Sequence, residues 1–187
     1  MMNHYGTNLA FTTSRTQVFF SHAEMAQALQ TYLRANQTRL APFEPLRTDD
    51  YFSLAEIQQR INQQIDERVQ QRGVALVVML KDSQQIIATI NFTNLIFGVF
   101  QACHLGFSID KDHEDQGLMA EVLETALEFI RQDYGLHRIM ANHLPDNVRS
   151  ERLLKKLGFV REGFAKSYLK INGEWRDHVL TAYVFAD

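Results

Sequence analysis

The chain has 187 residues, of which 45% are hydrophobic and 22% charged, with a formal net charge of −3. That is enough apolar material for the core of one soluble domain, 1–187, and it is unlike the composition of disordered or fibrous chains. The longest apolar run, Val74 to Leu80, is too short to cross a bilayer, the start MMNHYGTNLA lacks a signal peptide's basic and apolar regions, and a lone Cys103 cannot form an internal disulfide. A cytoplasmic protein without membrane contact is expected.

In chain order, NLAFTTSRTQVFF reads as a first strand, and Ser21 with Glu24 has the spacing of a capping box opening a helix to about Ala35. Pro42 and Pro45 stiffen a loop that presents Phe43 and Glu44 between them. Ser53 and Glu56 cap a second helix, with Ile57, Ile61, Ile65 and Val69 at helical spacing, which ends at Gly73. Three strands follow, VALVVML, IIATINFTNL and QACHLGFSI, turned at KDSQQ and around Gly98, and their succession predicts an antiparallel meander. Leu118, Met119, Val122, Leu123, Ala126, Leu127 and Ile130 form one apolar stripe of a helix over 116–131. Then come a short strand HRIMANHL, a helix from Asn147 to Leu157 stopped by Gly158, and two strands turned at Asn172-Gly173. The order β-α-α-β-β-β-α-β-α-β-β predicts an α/β (α+β) protein, with about four helices packed on a mixed, mostly antiparallel, seven-stranded sheet.

Charge is unevenly spread. Residues 145–170 carry seven bases against three acids, so a basic island sits in an otherwise acidic chain. Such an island attracts a compact anion or is simply a solvated helix face, and it offers too little phosphate-tracking surface for direct nucleic-acid binding. The stretch DKDHEDQGLMAE places acids immediately before Gly117 and a helix start. A helix N-terminus beside a glycine is an anion site, which raises the question of whether the acids fill it themselves.

The element order and the stretch 104–159 resemble the Gcn5-related N-acetyltransferase (GNAT) superfamily, which binds acetyl-CoA. In that family a strand ending like LGFSI leads into a Gln/Arg-x-x-Gly-x-Gly/Ala turn. Here Asp112, His113, Glu114, Asp115, Gln116 and Gly117 occupy those six positions, so only the last glycine is kept. The segment PDNVRSERLLKKLGF is similar to the family's Asn-x-x-Ser-x-x-Leu-x-x-x-Gly-Phe helix. Within the superfamily, LAPFEPLR, FQACHLGFSI, HRIMAN, REGFAKSYL and NGEWRDHVLTA resemble the RimJ/RimL group, most of all the RimJ-type ribosomal-protein-alanine N-acetyltransferases.

The resemblance implies acetyl transfer from acetyl-CoA to the α-amine of a protein's N-terminal alanine, by direct attack and without a metal. Chemistry agrees: an α-amine has a pKa of about 7.7–8.0 against about 10.4 for lysine, so about a tenth of it is a free nucleophile near neutrality. Acetylation of a small amine such as a polyamine or antibiotic, or mere acyl-CoA binding, are the alternatives. A monomer or homodimer is expected.

Several site residues follow from the resemblance. Phe107, Ser108 and Ile109 would offer backbone groups to the pantetheine as an added strand does, aided by a bulge that splays the strand, or would simply pair with the next strand. Backbone N–H groups of the turn Glu114, Asp115, Gln116, Gly117, Leu118 and Met119 would hold the pyrophosphate, with Arg149 as a nearby base. Asn147 would contact the pantetheine arm. Ser150 would protonate the departing thiolate or serve only the helix start, and Glu162 would take the amine's proton or be an exposed strand charge. Phe43, Glu44, Tyr168, Trp175 and Asp177 would shape the acceptor site, with Tyr168 a second candidate proton donor; each has a plain structural reading as a loop acid, packing anchor or strand residue.

Overall fold

The computed structural model describes residues 8–186. Its strands are β1 (Leu9–Thr12), β2 (Thr16–Phe20), β3 (Gly73–Leu80), β4 (Ile86–Ile96), β5 (Ala102–Ile109), β6 (Arg138–Met140), β7 (Val160–Ile171) and β8 (Glu174–Val184). Its helices are α1 (Ala26–Leu40), α2 (Leu54–Val69), α3 (Leu118–Tyr134) and α4 (Val148–Lys156). The strands form one sheet in the order β1-β2-β3-β4-β5-β6-β8-β7, antiparallel throughout except where β5 meets β6.

Strand alternation builds a core on each face of the sheet. Val74, Leu76 and Val78 of β3 join Leu123, Ala126 and Ile130 of α3, whereas Val77 and Met79 join Met25, Ile57 and Ile61 on the side of α1 and α2. The apolar stripe expected for α3 is buried as a block. The β3-β4-β5 meander forms as its pattern predicts.

The structure differs from the sequence expectations at three places near the N-terminus. The expected first strand is two, giving eight strands instead of seven. The chain turns at Thr13, where the Thr13 N–H donates to the Thr16 carbonyl at 3.0 Å, and the carboxylate of Glu121 accepts from Ser14 Oγ at 2.7 Å and Arg15 N at 2.9 Å. The Ser21–Glu24 capping box does not form: His22 Nδ1 accepts from Glu24 N at 3.4 Å, a single 3-10 turn spans Ala23–Met25, and α1 starts at Ala26 and runs on to Leu40. Ser53, by contrast, caps α2 as its spacing predicts, accepting from Glu56 N at 3.2 Å.

Candidate active site

Beta-sheet geometry opens a cleft in the middle of the molecule. Parallel pairing of β5 with β6 lasts for three residue pairs only, from Ala102↔Arg138 to His104↔Met140. Past that point the chain after β6 turns to β8: Ala141 N donates to Thr181 O at 3.0 Å, and His143 exchanges backbone bonds with Val179 at 3.1 and 2.9 Å. β5 stays with β4 out to Ala88↔Ile109, which leaves one edge of 105–109 without a strand partner among the described residues. The bulge expected in this strand is absent from it; the β4–β5 register slips instead between Thr93 and Ile96, at the far end, where Asn94 has φ 53°. Divergence of the chain after β6 therefore opens the cleft.

A cavity of about 170 Å³ occupies it, with Leu105 to Ser108 on one wall and Ala141 to Leu144 on the other. Asn147 and Ser150 complete it at the start of α4, where Asn147 Oδ1 accepts from Ser150 N at 3.2 Å, so one residue both caps the helix and faces the cavity. Phe43 and Glu44 line it from the loop after α1, and His178 from β8.

At the end of β5, the acidic turn resolves into a clamp. Glu114, with its side chain 13% exposed, accepts from Arg39 Nη1 at 2.7 Å and from Arg149 Nη1. Asp115 adopts φ 57°, and its side chain is 84% exposed with one oxygen 3.8 Å from Arg149 Nη2. Gly117, at φ 73°, is the N-cap of α3, and such a helix start leaves its first N–H groups without intrahelical acceptors. Glu114 and Asp115 therefore turn to arginines, while Asp110 is held by Asn36 and His113. Leu118 and Met119 are buried in the core, so only their backbone can serve a ligand there.

A family model for the acetyltransferase (GNAT) domain matches residues 20–160. The chain belongs to the GNAT acetyltransferase family. This N-acetyltransferase is 39% identical to the [ribosomal protein uS5]-alanine N-acetyltransferase of Escherichia coli K12, over 94% of its own length and 91% of the relative's. It superposes on the ribosomal-protein-S5-alanine acetyltransferase of Vibrio fischeri with TM-score 0.90, at 34% identity and over 95% and 97% of the two chains. Mycobacterium smegmatis RimJ, solved in complex with CoA-disulfide, shares the fold at TM-score 0.85 and 24% identity, over 90% and 81% of the two chains.

Not every expected residue of the acetyltransferase lies in the cleft. Glu162 holds Arg138 by two bonds, Arg138 Nη1 donating to its oxygens at 2.7 and 2.8 Å, and it is absent from the cavity wall. Arg138 opens β6, three residues before the cavity wall begins at Ala141, and it holds the carboxylate there. Asp177 Oδ1 accepts from Ser167 N at 2.8 Å, where β7 slips register between Ala165 and Leu169, so it supports that irregularity, and it does not line the cavity. Trp175 is 64% exposed near the β7–β8 turn, outside the cavity. Tyr168 is one contact removed from it: Asn142 Nδ2 donates to its hydroxyl at 3.4 Å, and its ring lies 5.5 Å from that of His178. The carbonyl of Ile109 accepts from Arg39 Nη2, and Arg149 is committed to the turn.

Asn142, His143 and His178 are cavity residues that the sequence reading does not assign to the site. They meet through the register of the chain after β6 with β8, which is a long-range property. Burial lowers the pKa of His178, and nearby His143 and Arg176 add to that, while its bond to the Arg176 carbonyl opposes it. Glu44 carries the opposite shift for an acid: burial raises its carboxyl, against the pull of Arg47, Arg60 and Arg39. Cys103 is fully buried, and burial pushes its thiol up to about 12, which leaves it no role as a nucleophile.

Proposed function

We propose that the chain transfers acetyl from acetyl-CoA to the α-amine of an N-terminal alanine, on a ribosomal protein of the kind its relatives are named for. The observation that carries the reading is the position of Glu44. This partly buried carboxylate lines both the β5–β6 cleft and a second chamber beneath α1 and α2, and Ser108 is shared between them as well. A donor in the cleft and an amine in the chamber would then meet at a carboxylate suited to hold an ammonium and take its proton.

Acetyl-CoA supplies the thioester. The open edge of 105–109 fits an extended amide-bearing arm, and the uncapped start of α3 fits its phosphates. The Ser150 hydroxyl, on the cavity wall, is placed to donate a proton to a leaving thiolate, with Tyr168 the second candidate. The backbone of Asn172, at the β7–β8 turn, donates to the Glu44 carbonyl at 2.8 Å and fixes the acceptor loop.

The test is CoA release from acetyl-CoA with peptides beginning Ala, Ser or Met, alongside polyamines. Turnover is expected with the alanine peptide. Turnover of polyamines in its place would make this a small-amine enzyme. CoA binding by calorimetry with no release on any acceptor would make it a binding module.

A further inference from the structure

The second chamber, also about 170 Å³, is lined by residues from the loop after β2, from α1 and α2, and from β3, β4 and β5. On its wall the guanidinium carbons of Arg47 and Arg60 lie 4.1 and 3.8 Å from the centroid of the Tyr51 ring, and Arg60 Nη2 donates to the Tyr51 carbonyl at 3.2 Å. Among the described residues neither guanidinium is in an ion pair, although six other arginine–carboxylate contacts form elsewhere. Ser21 is 6% exposed, lines the same chamber, and its hydroxyl has no hydrogen-bond partner among the described residues. The chamber thus brings together two guanidiniums held over one ring without a direct carboxylate contact and a buried hydroxyl whose hydrogen-bonding capacity a ligand can use.

Charge complementarity indicates the ligand. Glu44, shared with the cleft, repels a free anion, whereas Arg47 and Arg60 line only the chamber. A ligand with an ammonium at one end and a carboxylate a short distance behind it satisfies both. We propose that this chamber holds the residues following the acceptor's N-terminal residue, and that Arg47 and Arg60 select an acidic side chain among them. The inference deepens the N-terminal acetylation reading and rests on it. Glu44 and the two arginines line one small chamber, so the acid belongs close behind the α-amine. Ser21 and Asn91, both on the chamber wall, are the groups to bond the acceptor's backbone.

The test compares alanine-starting peptides that differ only in Glu against Gln at positions two to five, using the full chain and acetyl-CoA. For the wild type, the best-placed Glu is expected to raise kcat/KM over its Gln twin by roughly 10- to 100-fold, as charge-assisted bonds to two guanidiniums warrant. In Arg47→Gln and Arg60→Gln that ratio is expected to fall towards one, and in Arg60→Glu the preference should shift to peptides with Lys at that position. Equal kcat/KM for all Glu and Gln twins on the wild type overturns the inference and leaves N-terminal acetylation standing, a result that needs no variant to fold. A ratio that survives in both Gln variants overturns the assignment to these arginines. Failure of every alanine peptide to turn over removes the functional reading and the inference with it.

Discussion

Glu162→Gln separates a proton acceptor from a structural ion pair by magnitude. A general base contributes typically 10²- to 10⁴-fold to a rate. The observed pair makes a different demand: Glu162 and Arg138 have side chains 45% and 27% exposed and two bonds of 2.7 and 2.8 Å. Exposed pairs contribute roughly 0.2–1 kcal/mol, and two-bond geometry places this one near the upper end. In a domain of this size about 1 kcal/mol lowers Tm by about 2–4 °C. The variant is therefore expected to melt about 2–4 °C lower, with kcat/KM for an alanine-starting peptide within about threefold of the wild type. The melting difference should shrink at 1 M salt, where exposed charges are screened, and Arg138→Gln should reproduce it. Thermal unfolding and steady-state CoA release read both quantities. A loss of kcat of about a hundredfold or more at unchanged Tm would refute the structural assignment and restore Glu162 as the base.

Glu44→Gln is expected to lower kcat/KM by about 10²-fold and to abolish an acid limb in its pH profile that lies above 4.5, the ordinary glutamate value, because burial raises this carboxyl and activity grows as it ionises. The same raised carboxyl makes the ionised form a net cost to folding, so stability falls as pH rises through its folded pKa, and the variant should be at least as stable as the wild type above it. Glu121 has the reverse sign. Burial opposes its ionisation, but hydrogen bonds from Thr13, Ser14 and Arg15 outweigh that and hold the carboxyl down at about 2. Its stabilisation is present above 4.5 and lost as pH falls towards about 2, so Glu121→Gln should melt lower than the wild type at pH 7, the two converging near pH 2. Asp115→Gly removes an exposed charge at φ 57°, a conformation glycine adopts freely, and calorimetry should find CoA affinity unchanged or somewhat tighter; marked weakening would mean that the Asp115–Arg149 contact shapes the phosphate turn.

Legibility followed the range of the interaction. The α3 stripe and the apolar run of β3 could be read directly, because seventeen helical residues repeat one local rule and the run fills nearly the whole of an eight-residue strand. Two capping boxes of identical spacing had opposite outcomes. Ser53 is free to turn its hydroxyl to Glu56, whereas Ser21 N is drawn to the Ala75 carbonyl at 2.9 Å as the β2–β3 ladder ends, and the helix waits until Ala26. The break between β1 and β2 is set by Glu121, more than one hundred residues away in sequence. Acids that looked like occupants of the anion site are claimed by Arg39 and Arg149, from α1 and α4, and neither pairing leaves a local trace. Arg60 reads as an ordinary helix-surface residue within IQQRINQQ, and only the packing of α2 beside the loop at Tyr51 turns it into a chamber wall.

The pleat of β5 explains why cleft and chamber can share a wall at Ser108. Leu105, Phe107 and Ile109 point to the α3 side, where they pack against the larger core. Gly106 and Ser108 take the other face, and both are small. A β-carbon at Gly106 would meet nothing within 4 Å, and the Ser108 hydroxyl is held by Tyr32 at 2.8 Å and Thr89 at 2.9 Å instead of projecting across the opening. Burial drives the Tyr32 phenol up to about 12, so it stays protonated and can act as a fixed donor in that trio. Large residues on one face of the strand thus anchor it, and small or tethered ones on the other leave space beside Glu44. On the proposed chemistry that space is the path of attack. Its width depends on the strand remaining rigid, which the regular β4–β5 ladder from His104 to Ile109 ensures and a bulge at that point would have undone.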